Sequence, residues 1–289
     1  MKKNLASYTL LFSLAFIWGS SFILMKKALV VYSDYQVAAL RLFFAFLVLI
    51  PFLFKSINNI KRDHIFPFFL VGFLGNGIPA FLFAKSQLIL QSSFIGILNS
   101  LTPIFTLLFG LCFFGMKGRL TNIIGIIIGF FGAYFLYSDQ INYSVTFQLE
   151  ILLVVIATIC YAFSINIIRT YLKNVDSITI TSVSFLFIGP PSLIYLYSTD
   201  VLNVMTDEGG FLALFYIIIL AVLGTAFAVI LFNELIKRTS AIFASSVTYI
   251  IPIIAILWGV IDKEKVTITY LLGVVIILCA VYLVNQKRK

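Results

Sequence analysis

The chain has 289 residues, of which 62% are hydrophobic and 11% charged, and its mean hydropathy is +1.11. Soluble domains have roughly 45–50% apolar and about 25% charged residues, so this composition excludes a soluble fold and indicates an integral membrane protein. The net charge of +9 fits basic cytoplasmic loops better than a nucleic-acid partner, because no basic run with interleaved aromatics lies outside the apolar segments.

Ten apolar segments are long enough to cross a bilayer, and their continuous apolar character predicts helices rather than barrel strands. We number them spans 1 to 10, at 8–26, 35–54, 65–84, 92–114, 121–137, 149–168, 178–198, 211–233, 241–260 and 267–285. The first is too long for an ordinary signal peptide and lacks a cleavage site. The three cysteines have no metal-ligand spacing, so we expect buried small side chains at Cys112, Cys160 and Cys279.

The distribution of basic residues predicts the orientation of the spans. With the N-terminus placed in the cytoplasm, fourteen of the 20 Lys and Arg residues lie on the cytoplasmic side and five on the other, while Arg41 lies within span 2. Basic residues favour cytoplasmic loops, so both termini are expected inside, which requires an even number of spans.

The chain contains an internal repeat. At a spacing of 149 residues, "LNSLTPIFTLLFG" (98–110) aligns with "VTYIIPIIAILWG" (247–259), and "LGNGIPAFLF" (74–83) aligns with "LGTAFAVILF" (223–232). A weaker match sets "WGSSFILMK" in span 1 against "YAFSINIIR" in span 6. The sequence thus predicts two five-helix halves, 1–140 and 145–289. Because five is odd, the second half enters the membrane from the opposite side, as an inverted repeat.

These segments resemble the drug/metabolite transporter superfamily, of the EamA type. The resemblance rests on "WGSSF", "AALRLFFAF", "SLTPIFTLLFG" and "GIIIGFFGAYF" in the first half, and on "LGTAFAVILFNELIKRTSA" and "SSVTYIIPIIAILWGVIDKEKVT" in the second. It covers nearly the whole chain in order and implies that spans 1, 3, 4, 6, 8 and 9 surround a transport pathway. Family members often carry a Glu at the end of spans 4 and 9; here Glu264 follows span 9, but "FFGMKGRLT" has none after span 4.

Each half has a proline inside its fourth helix, Pro103 and Pro252. Proline lacks the backbone donor, so a carbonyl in the preceding turn loses its partner and must find another one inside the bilayer. The two prolines therefore mark either packing kinks or a kinked cavity wall that acts as a gate.

Polar side chains at mid-depth predict an uncharged cavity wall. Each alone could simply bond between helices. The predicted pathway residues are Trp18, Ser21, Asn76, Asn99, Thr102, Tyr161, Ser164, Thr225, Thr248 and Tyr249.

Few ionisable residues lie within the spans. Arg41 could pair with Asp34 or a helix end, or could bind an anionic group of a substrate. Lys85 and Glu234 occupy equivalent repeat positions near span ends, where they could reach the membrane surface or serve the pathway.

The sequence predicts an all-α polytopic membrane protein that moves a small organic solute, such as an amino acid, a related metabolite or a drug, across the cytoplasmic membrane by alternating access, outward. No enzyme, metal or cofactor is expected, since His64 is the single histidine and no phosphate-binding loop is present. A lipid scramblase or a channel-like facilitator is the alternative. The Gly125–Gly129 pair could pack within the bundle or form a homodimer face.

Overall fold

The structure is a computed structural model in which residues 2–56, 60–138 and 145–285 are described, and all regular elements of this part are helical. The helices are α1 (Lys2–Ala28), α2 (Asp34–Ser56), α3 (Ile65–Gly72), α4 (Ile78–Ser86), α5 (Ser92–Asn99), α6 (Thr102–Phe113), α7 (Leu120–Ser138), α8 (Val145–Tyr171), α9 (Ser177–Leu186), α10 (Gly189–Tyr197), α11 (Val201–Thr206), α12 (Gly210–Ala221), α13 (Ala228–Arg238), α14 (Ala241–Ser245), α15 (Ile251–Ile261) and α16 (Ile268–Asn285). The predicted boundary between the halves, at 141–144, and the basic residues at 287–289 lie outside the described residues.

Eight helical stretches of the described chain are long and apolar enough to cross a membrane, at the positions predicted for spans 1 to 4 and 6 to 9. They are Ala6–Ala28, Asp34–Ser56, Arg62–Ser86, Ser92–Phe113, Gln148–Tyr171, Ser177–Tyr197, Gly210–Arg238 and Ala241–Ile261. Shorter apolar helices, Leu120–Leu136 and Ile268–Ala280, occupy the positions predicted for spans 5 and 10. The prediction of an all-helical, multi-pass membrane protein is therefore confirmed.

Several spans are interrupted helices. Span 3 consists of α3, a π-helical turn at Phe73–Gly77 and α4, and span 8 consists of α12, a π-helical turn at Val222–Phe227 and α13. Span 7 is divided into α9 and α10 before Gly189, whereas the sequence predicts one continuous helix at 178–198. The two prolines after Gly189 explain the break, since a proline ring cannot follow a regular helical turn without a clash.

The two halves of the chain are interleaved rather than side by side. Span 1 packs against α12, α13 and α15 of the second half, and span 6 packs against α3, α4 and α6 of the first. Span 2 packs against span 7, α5 against α15, and α7 against α16. Every span thus contacts at least one span of the other half, so both halves contribute to the centre of the bundle.

Span 5 and the cysteines show which helix faces are buried. Both glycines of the Gly125–Gly129 pair are buried, on a helix that packs against α16, so the pair packs within the bundle. Cys160 is buried, but Cys112 and Cys279 are exposed, contrary to expectation. Their helices turn these positions outward, where an apolar side chain meets lipid rather than the core.

One end of the bundle is joined across the halves by Glu264. Its carboxylate, only 2% exposed, accepts hydrogen bonds from the backbone N–H groups of Ser92 (3.1 Å) and Ser93 (3.0 Å), and from the Ser92 hydroxyl (2.6 Å). These N–H groups belong to the first turn of α5, which has no helical partners for them and carries a positive partial charge. A residue from the second half therefore caps a helix of the first. We call this end of the bundle the Glu264 end.

Lysines from the end of α1 complete the cluster at the Glu264 end. Lys26 Nζ lies 2.7 Å from both Glu264 Oε1 and Asp262 Oδ2, and Lys27 pairs with the other oxygen of Asp262. The hydrogen bonds from the two lysines hold the pKa of Asp262 below its usual value. Burial alone would raise the pKa of Glu264, but the bonds from Lys26, Ser92 and Ser93 outweigh it and hold this pKa below the usual value as well.

Replacing Glu264 by Gln removes this charge and retains the side-chain length. At pH 7 we expect the free energy of unfolding to fall by about 1.5–3 kcal/mol, the typical value of hydrogen bonds to a charged group. Because the folded pKa lies below the ordinary 4.5, the carboxylate stabilises the protein above that pH, and the contribution is lost as pH falls through the folded pKa. The gap in Tm between the native protein and Glu264→Gln, followed by tryptophan fluorescence in detergent, should therefore narrow in acid.

The control is Glu208→Gln, which changes an exposed carboxylate in the same way and should leave Tm unchanged. Equal stability of the Glu264 variant and the native protein at pH 7, or a gap that widens in acid, would contradict the role assigned to this carboxylate.

Candidate functional site

A cavity of about 100 Å³ lies at the centre of the bundle, between the two halves. A single water needs roughly 10–15 Å³ on this scale, so the cavity has room for about seven to ten water-sized groups. Its wall is formed by spans 1, 2, 3, 4, 6, 8 and 9. The lining residues are Trp18, Ser21, Phe22, Met25, Arg41, Val71, Gly75, Asn76, Phe83, Asn99, Thr102, Tyr161, Ser164, Ile165, Ile168, Gly224, Val229, Phe232, Asn233, Ser245 and Thr248.

The π-helical turns of spans 3 and 8 occupy equivalent places in the repeat, since Phe73 and Val222 are 149 residues apart. Each turn holds one polar residue at the same position of the aligned segments 74–83 and 223–232, Asn76 in the first and Thr225 in the second. A π-helical turn widens the helix and is frequent at functional sites. The repeat in sequence is therefore also a repeat in backbone geometry, and both copies border the cavity.

Two glycines in these turns allow a serine of the opposite half to approach the backbone. A Cβ added at Gly224 would lie 2.7 Å from Ser21 Oγ, and a Cβ at Gly75 would meet Ser164 Oγ in the same manner. Gly75 and Gly224 are separated by 149 residues, and the weak alignment of spans 1 and 6 pairs Ser21 with Ser164. The same contact is thus made twice: once by a serine of the first half on a glycine of the second, and once by a serine of the second half on a glycine of the first. Trp18 strengthens one copy by donating from Nε1 to the Gly224 carbonyl, at 3.0 Å.

The prolines of spans 4 and 9 begin new helices instead of kinking continuous ones. Pro103 lies at the start of α6, and Pro252 lies at the start of α15 after a 3₁₀ turn at Ser246–Tyr249. Both breaks lie beside the cavity, because Asn99, Thr102, Ser245 and Thr248 line it.

The carbonyls that lose their helical partner at each proline are those of Asn99 and Thr248, four residues earlier. The Asn99 carbonyl accepts a hydrogen bond from the Thr102 hydroxyl at 2.8 Å, and the Thr248 carbonyl accepts one from Ser100 of the other half, also at 2.8 Å. Side-chain hydroxyls therefore satisfy both carbonyls within the protein, as the bilayer requires.

Arg41 is the charged residue of the cavity wall. Its Nε donates to Thr225 Oγ1 at 2.7 Å, and the Thr225 hydroxyl donates in turn to the Leu220 carbonyl at 2.9 Å. None of the ion pairs formed by described residues involves Arg41, so the predicted pairing with Asp34 is not observed.

Aromatic rings border the cavity on two sides. Tyr161 stacks on Phe83 with ring centroids 5.8 Å apart, and Trp18 meets the edge of Phe232 at 4.9 Å. Tyr161 also lies close enough to Arg41 to interact with it electrostatically. The wall therefore presents rigid apolar faces between its polar groups.

The structure brings most of the predicted pathway residues together. Trp18, Ser21, Asn76, Asn99, Thr102, Tyr161, Ser164 and Thr248 line the cavity, as does Arg41. Thr225 lies immediately behind the wall, where it holds Arg41. Tyr249, Pro103 and Pro252 are not among the lining residues, although Tyr249 and Pro103 each directly follow one in the sequence.

The other two charged candidates lie away from the cavity. Lys85 is near the end of α4, within electrostatic range of the buried Glu150. Glu234 is near the end of span 8, where it pairs with Arg238 and accepts a hydrogen bond from Ser177 at 2.7 Å. Glu234 lies at the end of the bundle opposite to the Glu264 end, and we call this end the Glu234 end. In the described ranges no three His, Cys, Asp or Glu residues are grouped as metal ligands.

The sequence reading did not select Asn233 or Ser245, which also line the cavity. Asn233 is almost fully buried and donates from Nδ2 to Thr181 Oγ1 at 2.9 Å. An amide directly after the repeated segment "LGTAFAVILF" was the available signal for Asn233. Ser245 carried none, because serines are common at helix contacts.

The EamA-like transporter family matches the chain twice, at residues 5–138 and 148–286. The chain belongs to this family. An EamA-like protein is a transporter and not an enzyme, so both of these predictions are confirmed.

Two relatives agree with this assignment, and a solved structure shares the fold. An uncharacterised transporter of Archaeoglobus fulgidus is 24% identical over 94% of this chain and 95% of its own length. The uncharacterised inner membrane transporter YedA of Escherichia coli K12 is 27% identical over 89% of this chain and 83% of its own. A solved crystal structure matches with a TM-score of 0.69 at 13% identity, over 97% of this chain and 96% of the other, which shows a shared fold.

Replacing Ser100 by Ala tests the hydroxyl bond between the broken helices. Ser100 is buried, so its loss leaves the Thr248 carbonyl without a partner, and an unsatisfied buried acceptor costs about 1–3 kcal/mol. We expect Tm in detergent to fall by several degrees.

Ser198→Ala is the matched control, because this exposed hydroxyl bonds a carbonyl of its own turn, and it should leave Tm unchanged. Equal losses in the two variants would show that the cross-half bond has no special importance.

Proposed function

We propose that this EamA-like protein is a secondary carrier that moves a small organic solute, such as an amino acid, a related metabolite or a drug, out of the cell across the cytoplasmic membrane. In the proposed topology ten helices cross the bilayer, with both termini in the cytoplasm. The charge distribution supports this topology, since fourteen basic residues lie on the proposed cytoplasmic side and five on the other. The E. coli relative is named an inner membrane transporter, which supports placing this protein in the cytoplasmic membrane.

The observation that carries the proposal is the central cavity between the two halves. Beside this cavity each half makes the same serine–glycine contact with the other. Ser21 contacts Gly224, and Ser164 contacts Gly75. In each contact a serine from the first helix of one half packs on the π-helical turn in the third helix of the other half. Inverted repeats place the solute site near the midplane of the membrane, and the two halves can exchange conformations around it. We therefore propose alternating access for this cavity.

The two ends of the span 4 and span 9 pair differ in a way that suits a one-sided gate. At the Glu264 end, Glu264 caps α5 of the other half and binds Lys26. At the Glu234 end, α14 is capped within its own segment by Ser240, whose hydroxyl accepts from the Phe243 N–H at 3.1 Å. The Glu264 end is extracellular in the proposed topology. Opening it would require the cap and the ion pairs to separate, whereas among the described residues no such cap joins these two spans at the Glu234 end.

Profiles of secreted metabolites test the proposal and name the solute. We expect cells that overproduce the native chain to release one class of solute into the medium, as detected by mass spectrometry. Asn76→Leu should reduce this release about two- to tenfold, because it removes a cavity amide whose hydrogen bonds to a solute are worth about 0.5–1.5 kcal/mol. Asn203→Leu, an exposed position in α11, is the matched control and should release as much as the native chain.

A second measurement separates a carrier from its alternatives. The purified protein in liposomes should show saturable counterflow of the released solute. Linear flux of the solute without counterflow would indicate a channel-like facilitator. Movement of fluorescent lipids between the leaflets, without solute transport, would indicate a scramblase. Depletion of a solute from the medium would support the carrier proposal but show that transport is inward rather than outward. Identical metabolites with and without the native chain would remove the support for solute export.

A further inference from the structure

The environment of Arg41 indicates what kind of solute the cavity binds, an inference that rests on the proposed function. The guanidinium group carries five N–H donors, and the one on Nε is occupied by Thr225. The single hydroxyl proton of Thr225 goes to the Leu220 carbonyl, which turns an oxygen lone pair toward Arg41. This arrangement fixes one edge of the guanidinium group and leaves its two terminal nitrogens without a hydrogen-bond partner in the described part of the chain.

No carboxylate neutralises this charge within the described ranges. The ion pairs there involve Lys26, Lys27 and Arg238. Asp34, the acidic residue on the same helix, is seven residues away, or about 10 Å along the axis. An unpaired charge in a low-dielectric site is expensive, and charged side chains in membrane helices usually have a partner or a function.

The rest of the cavity wall is uncharged. Apart from Arg41, its lining residues are apolar, aromatic, amide, hydroxyl or glycine residues. Aspartate and glutamate, which would bind an ammonium group, are absent from the lining, and no second cation is available for a doubly charged phosphate. The wall therefore complements a molecule with one anionic group and an otherwise neutral or apolar body.

We propose that the transported solute carries a carboxylate, which the terminal nitrogens of Arg41 bind in the cavity. A carboxylate has two oxygens in one plane, which match the planar fork of a guanidinium group and allow two parallel hydrogen bonds. The faces of Trp18 and Tyr161 border the space left for the body of the solute. Room for about seven to ten water-sized groups suits a small carboxylate rather than a large one.

Four probes with one carbon skeleton separate the carboxylate from the rest of the solute. They are 4-methylpentanoate, 4-methylpentanamide, leucine and leucinamide, which combine the presence or absence of a carboxylate with that of an ammonium group. The full chain is purified in detergent at neutral pH, and the apparent affinity for each probe is read from the concentration dependence of Tm. We expect each carboxylate to bind at least tenfold more tightly than its amide, since bonds to a charged group are worth about 1.5–3 kcal/mol.

Variants assign the preference to Arg41. Arg41→Gln should abolish the difference between carboxylate and amide. Arg41→Lys, which keeps the charge but loses the fork, should retain a weaker preference, and it serves as the second variant where Arg41→Gln does not fold. Arg62→Gln, which removes an exposed charge, should behave as the native chain does. Amides that bind as tightly as carboxylates, a preference that survives in Arg41→Gln, or a native chain that responds to neither carboxylate would each overturn the inference.

This test measures recognition alone, so its failure differs from failure of the proposed function. Carboxylate binding without counterflow in liposomes would overturn the carrier and leave the role of Arg41 intact. Counterflow of solutes that lack a carboxylate, at equal rates in the native chain and Arg41→Gln, would overturn the role of Arg41 and leave the carrier intact.

Discussion

The bilayer offers no hydrogen bonds, and this constraint governs the centre of the molecule. Where a helix breaks at mid-depth, each backbone carbonyl that loses its helical partner must find another partner within the protein. The proline breaks show the solution: the carbonyls of Asn99 and Thr248 accept from Thr102 and Ser100. Because one of these bonds crosses between the halves, the same hydroxyl that satisfies a broken helix also fixes how spans 4 and 9 meet.

Close approach of the helices depends on residues without bulk. Where Ser21 lies against Gly224 and Ser164 against Gly75, a larger side chain at either glycine would separate spans that now touch. In hydrocarbon the association of helices relies on such close packing and on interhelical hydrogen bonds, because apolar area gains nothing over contact with lipid. The π-helical turns that contain these glycines also bring Asn76 to the cavity and Thr225 to Arg41. Packing and site construction therefore use the same two turns.

The sequence predicted those features that leave a compositional or periodic signal. Apolar length located the spans, and the spacing of 149 residues paired Asn76 with Thr225 before any geometry was known. It could not predict the π-helical turns, because one extra residue in a turn does not change an apolar run, nor the division of span 7 at Gly189. The contacts of Arg41 and Glu264 were also beyond reach, since their partners Thr225 and Ser92 lie in the opposite half. Such pairs depend on tertiary packing, which one sequence does not reveal.

The two halves share a backbone plan but differ in side chains at the positions to which we assign the proposed gate and solute site. Thr225 accepts a hydrogen bond from Arg41, whereas its repeat partner Asn76 lines the cavity. Glu264 caps the opposite half, whereas the position 149 residues earlier is Gly115, with a positive φ of 61° and no side chain to offer. In the proposed alternating access, the repeated backbone allows two conformations of similar energy. The carboxylate cluster at the Glu264 end and the charge of Arg41 in the cavity would make their energies unequal. A population of two states shifts only by differences in what each state binds. A solute that neutralises Arg41 can therefore alter the balance between the conformations, because an unpaired charge costs more wherever the cavity excludes more water.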